Sequence, residues 1–222
     1  MRDSTFTDND VIKLSLGFVF VTLDAKKDSS LVSQYGVNAY PTVILFKSTG
    51  EEIDRIVGYV PPREFLKTVK SYLRGEGTLT DLENRLRENP SNLSLLYQVG
   101  EKYQDRSKYE EALVHYQNIM SLDPENEGGK ADEVLYRTAV IRRKQNDNQK
   151  AIETFEELLR RFPESERQLE AEEYIPYIYA QMGDSAEALR LYEKILVDHP
   201  DIEKEEREWV EKQIKKLKEG GE

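Results

Sequence analysis

Three stretches of this 222-residue chain share one spacing: SKYEEALVHYQNIMSLDP, DNQKAIETFEELLRRFP and DSAEALRLYEKILVDHP. Each has a small residue (Ala112, Ala151, Ala188), an aromatic four positions later (Tyr116, Phe155, Tyr192) and a proline twelve positions later (Pro124, Pro163, Pro200). The alanines lie 39 and 37 residues apart. Self-similarity at such a period means that each copy is one supersecondary unit stacked on the next. The alanine lets two helices approach closely, and the aromatic fills the space beside it. The proline cannot continue the helix and ends the unit.

This Ala-x₃-aromatic…Pro pattern, with Gly100 and Tyr103 ahead of the first copy and Tyr179 and Gly183 ahead of the third, resembles the tetratricopeptide repeat. The resemblance implies an all-α TPR solenoid over residues 77–222, with repeats near 92–125, 131–164 and 168–200. Residues 79–88, followed by Pro90, read as a lone second helix of a repeat. Residues 201–219 carry Trp209, Val210, Ile214 and Leu217 on one face and read as the terminal cap that such an array needs. Expected caps are Ser107 with Glu110, Ser165 with Gln168, and Asp184 with Glu187. Two copies depart from the pattern. The second has Ala139 for the usual Gly and Arg142 for the usual Tyr, and the third has Pro176 at the small position, which predicts a bend. Repeats of this type line a concave groove, into which spacing directs Tyr97, Glu101, Tyr136, Val140, Arg143 and Tyr177. Three tyrosines and an arginine suit a peptide with apolar or aromatic side chains. Partly buried packing residues are the competing reading. The Lys/Asn pattern with which chaperone-binding members clamp a terminal carboxylate is absent.

The first third reads differently. Thr7 with Asp10 suggests a cap for a short helix through Val11, Ile12, Leu14 and Leu16. Residues 18–23 (FVFVTL) are dense in β-formers and read as a buried strand. Ser29 or Ser30 opens a helix with Leu31, Val32 and Tyr35 facing inward, and Gly36 suits its stop. Val43–Phe46 reads as a strand buried on both faces, residues 52–59 as its antiparallel neighbour, and Pro61-Pro62 as the start of a helix. The phrases FVFVTLD, YGVNAYPT, TGEEIDRIVGY and PPREFLKTV fall in the order of the C-terminal portion of a thioredoxin-like domain. The resemblance implies a partial α/β thioredoxin-like fold over 1–76, with Arg2 to Asp8 as the tail of the helix that normally carries the cysteines. It also implies a cis-proline at Pro41, and a peptide groove lined by Tyr40, Pro41 and Thr42, with a Pro41 that only shapes the turn as the competing reading. The family has a further strand between 18–23 and 43–46. A later start in the gene model, closure of the sheet without that strand, or strand addition by another segment or chain would account for it, the first being favoured.

Thiol–disulfide exchange needs a thiolate, and the chain has no cysteine. The resemblance therefore implies a redox-inactive domain as given. The first expectation is a non-catalytic interaction module for a protein or peptide partner. The second is a fragment of a thiol–disulfide oxidoreductase whose C-x-x-C lies upstream of Met1. No cofactor and no metal is expected, since His115 and His199 are isolated and read as surface residues. Residues 1–78 balance 10 basic against 10 acidic residues, so the remaining 22 and 33 carry the whole net charge of −11. Phosphates would be repelled there, which argues against nucleic acid as a partner of that part. No apolar run spans a bilayer and MRDSTFTDND is no signal peptide. The chain as given is expected in the cytoplasm, or in the periplasm if the N-terminus is truncated, with self-association through the incomplete sheet as a further expectation.

Overall fold

The structure is a computed structural model that describes residue 1 and residues 4–220. It divides into two compact units, Met1–Asn118 and Ile119–Glu222. The reading of Arg2 and Asp3 as a helix tail lies outside the described residues; the rest of that stretch forms a 3-10 turn, Thr5–Thr7.

In the first unit, α1 (Asn9–Ser15) is capped by Asp8, whose carboxylate accepts from the amides of Asp10 and Val11. Asp8, not Thr7, fills the expected role, because it stands next to the first helical residue and reaches two free N–H groups. After α2 (Ser29–Gln34), strands β1 (Thr42–Phe46) and β2 (Glu52–Val57) pair antiparallel, Val43 opposite Ile56, with a shift of register between Leu45 and Phe46. The helix α3 (Pro62–Leu73) starts at a proline, whose missing N–H costs nothing in the first turn. Val11, Leu45, Ile56, Phe65 and Val69 make the core. Phe6 meets Phe65 edge-on at 5.6 Å. Tyr40–Pro41 is cis.

The expected strand at 18–23 is not formed. Val19 and Val21 are 93% and 74% exposed, and residues 19–23 form neither helix nor strand. β-propensity expresses itself only against a partner, and the sheet has two strands, with β1's outer edge unpaired among the described residues. Phe20 meets Phe6 and Phe18 edge-on, and Phe18 is half-buried against the core of this unit.

The same unit continues through Gly75 and Gly77, both at positive φ, into α4 (Leu79–Glu88), α5 (Leu93–Gln104) and the start of α6 (Tyr109–Leu122). Gly100 lets α5 lie against Tyr116: a Cβ there would stand 2.5 Å from the ring. A polar cluster ties β2 to α5. Asp54 is fully buried; it accepts from the amides of Arg55 and Leu79, each at 2.7 Å, and pairs with Lys102 and Arg106, each at 3.0 Å. Arg106 also meets Glu52 at 2.9 Å. Arg55 pairs with Glu52 and donates to the carbonyls of Tyr35 and Asp105. Gly36 (φ +57°) sits so close that a Cβ would lie 2.3 Å from the Arg106 carbonyl oxygen. Ser107 is drawn into this junction: its hydroxyl donates to the Gly36 carbonyl and accepts from Asn38.

The second unit stacks α7 (Ala131–Lys144), α8 (Asn148–Arg161), α9 (Gln168–Gln181), α10 (Ser185–Asp198) and α11 (Lys204–Glu219). Ala151, Phe155, Ala188 and Tyr192 are buried, and α8 and α10 each stop two residues before their proline. Leu135, Ala139, Ile152, Phe155, Ala171 and Ile175 are core members between α7, α8 and α9. Val210 joins Tyr192 and Ile195 under α11. Asp184 caps α10 through the Glu187 amide at 3.1 Å. Ser165 instead donates to Asp132 at 2.6 Å, and α9 begins after Arg167. The helix α9 runs unbroken with Pro176 buried inside it. Among the described residues no helix is long and apolar enough to cross a membrane.

The two histidines are packed rather than superficial. His115 stacks on Tyr103 at 5.6 Å, and burial pushes its imidazole pKa down. His199 bonds to Glu172 through Nε2. Each follows from a local neighbour that spacing along one helix does not show.

Candidate functional site

On α7, Tyr136, Val140 and Arg143 recur at i, i+4 and i+7; on α9, Glu170, Glu173, Tyr174 and Tyr177 recur at i, i+3, i+4 and i+7. Both spacings define one helix face. Tyr136, Arg143, Glu170, Glu173, Tyr174 and Tyr177, together with Trp209 of α11, line a cavity of about 390 Å³. Val140 is half-buried and packs against the core beside it.

The aromatic wall is held from behind. Phe155, fully buried, stacks on Tyr174 with centroids 5.2 Å apart and meets Tyr136 at 5.9 Å. Tyr174 meets Tyr177 edge-on at 6.4 Å. Trp209 stands edge-on to Tyr192 at 5.9 Å. Such edge-to-face pairs fix ring orientation.

Charge is arranged over these rings. The Arg143 guanidinium carbon lies 5.5 Å from the Tyr174 centroid and 5.7 Å from that of Tyr177, within the range of a cation–π attraction. Its Nε is buried with no hydrogen-bond partner. Arg167 covers Tyr136 at 4.9 Å, while pairing with Glu133 at 2.6 Å and Glu170 at 2.8 Å. Burial, then the bond to Glu170, pushes the Tyr136 hydroxyl pKa far up, so it stays a neutral donor. Glu173 is different. One of its oxygens, Oε1, is buried with no hydrogen-bond partner, as is Oε2 of Glu206 on α11. Burial first, then Glu206, Glu170 and Glu172, pushes the Glu173 carboxyl pKa up to about 7. A half-buried carboxyl titrating near neutrality is a group available for a partner or a proton.

Of the residues that spacing directed to a groove, the structure brings Tyr136, Arg143 and Tyr177 into one cavity. Tyr97 and Glu101 lie on α5 of the first unit, where Tyr97 is 6.4 Å from the Tyr116 ring. Tyr40 and Pro41 are exposed; the Pro41 carbonyl accepts from Gly58 at 2.8 Å, and Thr42 Oγ1 donates to the Ala39 carbonyl at 2.7 Å. Glu170, Glu173, Tyr174 and Trp209 were not singled out as groove residues by spacing. The shared face of α9 carried a signal for the first three. The placement of Trp209 depends on how α11 packs.

Residues 1–73 match a thioredoxin-like domain family, and residues 133–165 and 177–201 match the tetratricopeptide repeat. A thioredoxin of Synechocystis sp. is 36% identical over 53 residues, covering 24% of this chain and 49% of that protein. The chloroplastic thioredoxin M4 of Arabidopsis thaliana is 36% identical over 56 residues, covering 25% and 28%. The chain thus spans about half the length, or less, of these curated relatives. Among solved structures, MamA protein aligns with a TM-score of 0.52 at 19% identity, covering 71% of this chain and 78% of that one. A Podosopora anserina protein of nearly identical TPR-like repeats aligns with a TM-score of 0.54 at 13% identity, covering 72% and 85%. At these identities the likeness is one of fold.

Proposed function

We propose that this chain, a thioredoxin-like segment joined to tetratricopeptide repeats, is a non-catalytic interaction module that binds a protein or peptide partner. The reading is carried by the cavity on which Tyr136, Arg143 and Tyr177 converge. It has rigid aromatic anchors and one cation, the residue types that dominate binding hot spots. Val140 flanks it, and Tyr97 and Glu101 are proposed as further partner contacts on the first repeat. Tyr40, Pro41 and Thr42 are proposed as a second peptide contact, with self-association along the open β1 edge as a further mode. The functional division follows the sequence reading, 1–76 and 77–222, with repeats near 92–125, 131–164 and 168–200 and a cap at 201–219. With no cysteine in 222 residues, the chain offers no thiolate for disulfide exchange.

The test is affinity capture with the purified chain beside Tyr136→Ala and Arg143→Glu. A partner retained by the wild type and lost by both variants is expected. Every captured partner surviving both changes would refute the groove. A second reading, a thiol–disulfide oxidoreductase in a longer product, is favoured by the 36% identity to thioredoxins. It is tested by reading the frame upstream of Met1 for a C-x-x-C.

A further inference from the structure

We infer that the cavity between α7, α9 and α11 accepts a basic side chain, lysine or arginine, from the partner, with its charge on Glu173 and its apolar stem along Tyr177 and Trp209. The inference rests on the proposal that this cavity binds the partner.

Three observations favour a cation over the apolar side chain that tyrosines alone would suggest. The first is pairing. Glu170 is already engaged by Arg167 at 2.8 Å, and Arg143, although its Nε lacks a hydrogen-bond partner, is stacked on two tyrosines. Among the lining residues, Glu173 keeps a carboxyl oxygen that no group of the protein satisfies. A buried acceptor left unpaired is costly, and a charged donor brought by a ligand removes that cost. The second is the walls. Tyrosine and tryptophan faces attract cations, and the protein places two of its own guanidinium groups over these very rings. The third is the field. Residues 119–222 hold 17 Lys and Arg against 26 Asp and Glu, and Glu172 and Glu206 raise the negative potential at Glu173. An anionic ligand for Arg143 would enter against four carboxyl groups, those of Glu170, Glu172, Glu173 and Glu206.

Trp209, the chain's only tryptophan, lines the cavity and reports on it directly. The experiment is a fluorescence titration of the full chain with acetylated, amidated Ala-Leu-X-Leu-Ala peptides in which X is lysine, norleucine or glutamate. The lysine peptide is expected to perturb Trp209 with a Kd roughly tenfold below that of the norleucine peptide, the scale of one charge-assisted bond. Glu173→Gln should erase the difference, and Gln at the exposed Glu164 should not; thermal melts check that both variants are folded. Equal affinity for lysine and norleucine would keep the groove and overturn the basic occupant. Tightest binding of the glutamate peptide would also overturn it and point to Arg143 as receptor. A lysine preference that survives Glu173→Gln, or falls equally with Glu164→Gln, would reduce it to the general field and overturn it. No response to any peptide would overturn both the inference and the groove on which it rests.

Discussion

Replacing Asp54 by alanine probes whether the thioredoxin-like segment and the first repeat are held as one unit by charge. The side chain is fully buried and joins four partners: the amides of Arg55 and Leu79, Lys102 and Arg106. Removing one member of a buried ion pair costs about 3–5 kcal/mol, because the other charges remain buried without compensation. Two features pull the figure to the low end. Arg106 keeps Glu52 at 2.9 Å, and Lys102 keeps the Tyr72 hydroxyl at 2.6 Å. We therefore expect a loss of about 3 kcal/mol, which is roughly two powers of ten in the opening equilibrium. Native-state hydrogen exchange read by mass spectrometry is the suitable assay, because Trp209 lies in the other unit. Amides of β2 and α5 should exchange about a hundredfold faster in the variant, with α8 and α10 unchanged. Asp54→Asn, which keeps the acceptor oxygen, should recover part of the loss. An acceleration under about threefold in Asp54→Ala would show that desolvation cancels the pairing, and the account of the junction would fall.

Glu173 makes stability depend on pH with a stated sign. Its carboxyl pKa rises from an ordinary 4.5 to about 7 on folding, so the folded state holds the proton more tightly. The wild type is then favoured below 4.5, loses that advantage as pH climbs to 7, and has none above. Glu173→Gln should melt higher than wild type at pH 8, with the gap closing by pH 5; a gap independent of pH would contradict the assignment. Phe155→Ala removes the ring wedged between Tyr136 and Tyr174. It should cost about 3–5 kcal/mol in urea unfolding of the second unit, and a loss under about 1 kcal/mol would mean that the wall is not supported from that side. Amides 19–23 should exchange within seconds while β1 and β2 stay protected. Protection of 19–23 that grows with protein concentration would instead reveal strand pairing between copies.

Legibility in the sequence followed the range of the forces involved. The repeats were readable because an alanine, an aromatic four residues on and a terminating proline act within one helix and its neighbour. The cluster Tyr136, Arg143 and Tyr177 was reachable from helical spacing for the same reason. The place of Glu173 on that face was reachable too, but its distinguishing chemistry was not: a missing partner and the nearness of Glu206 are products of packing between α9 and α11. Residues 18–23 misled because β-branched and aromatic composition describes how well a strand fits a partner, and says nothing about whether one stands beside it. The cross-fold bonds of Ser107 to Gly36 and of Ser165 to Asp132 were not legible, because spacing along one helix shows only local partners.

The exposed stretch from Val19 to Leu23, outside any helix or strand, also bears on how long the chain lasts once made. Proteases act on backbone outside regular structure, and here residues 19–23 are exposed with no helix or sheet to open first. Cleavage at a site already open follows its standing population rather than the rate of global unfolding. Turnover should then be uncoupled from thermal stability: a substitution that stiffens the helices of the second unit would raise the melting temperature and leave the half-life untouched, whereas covering this one segment would lengthen it.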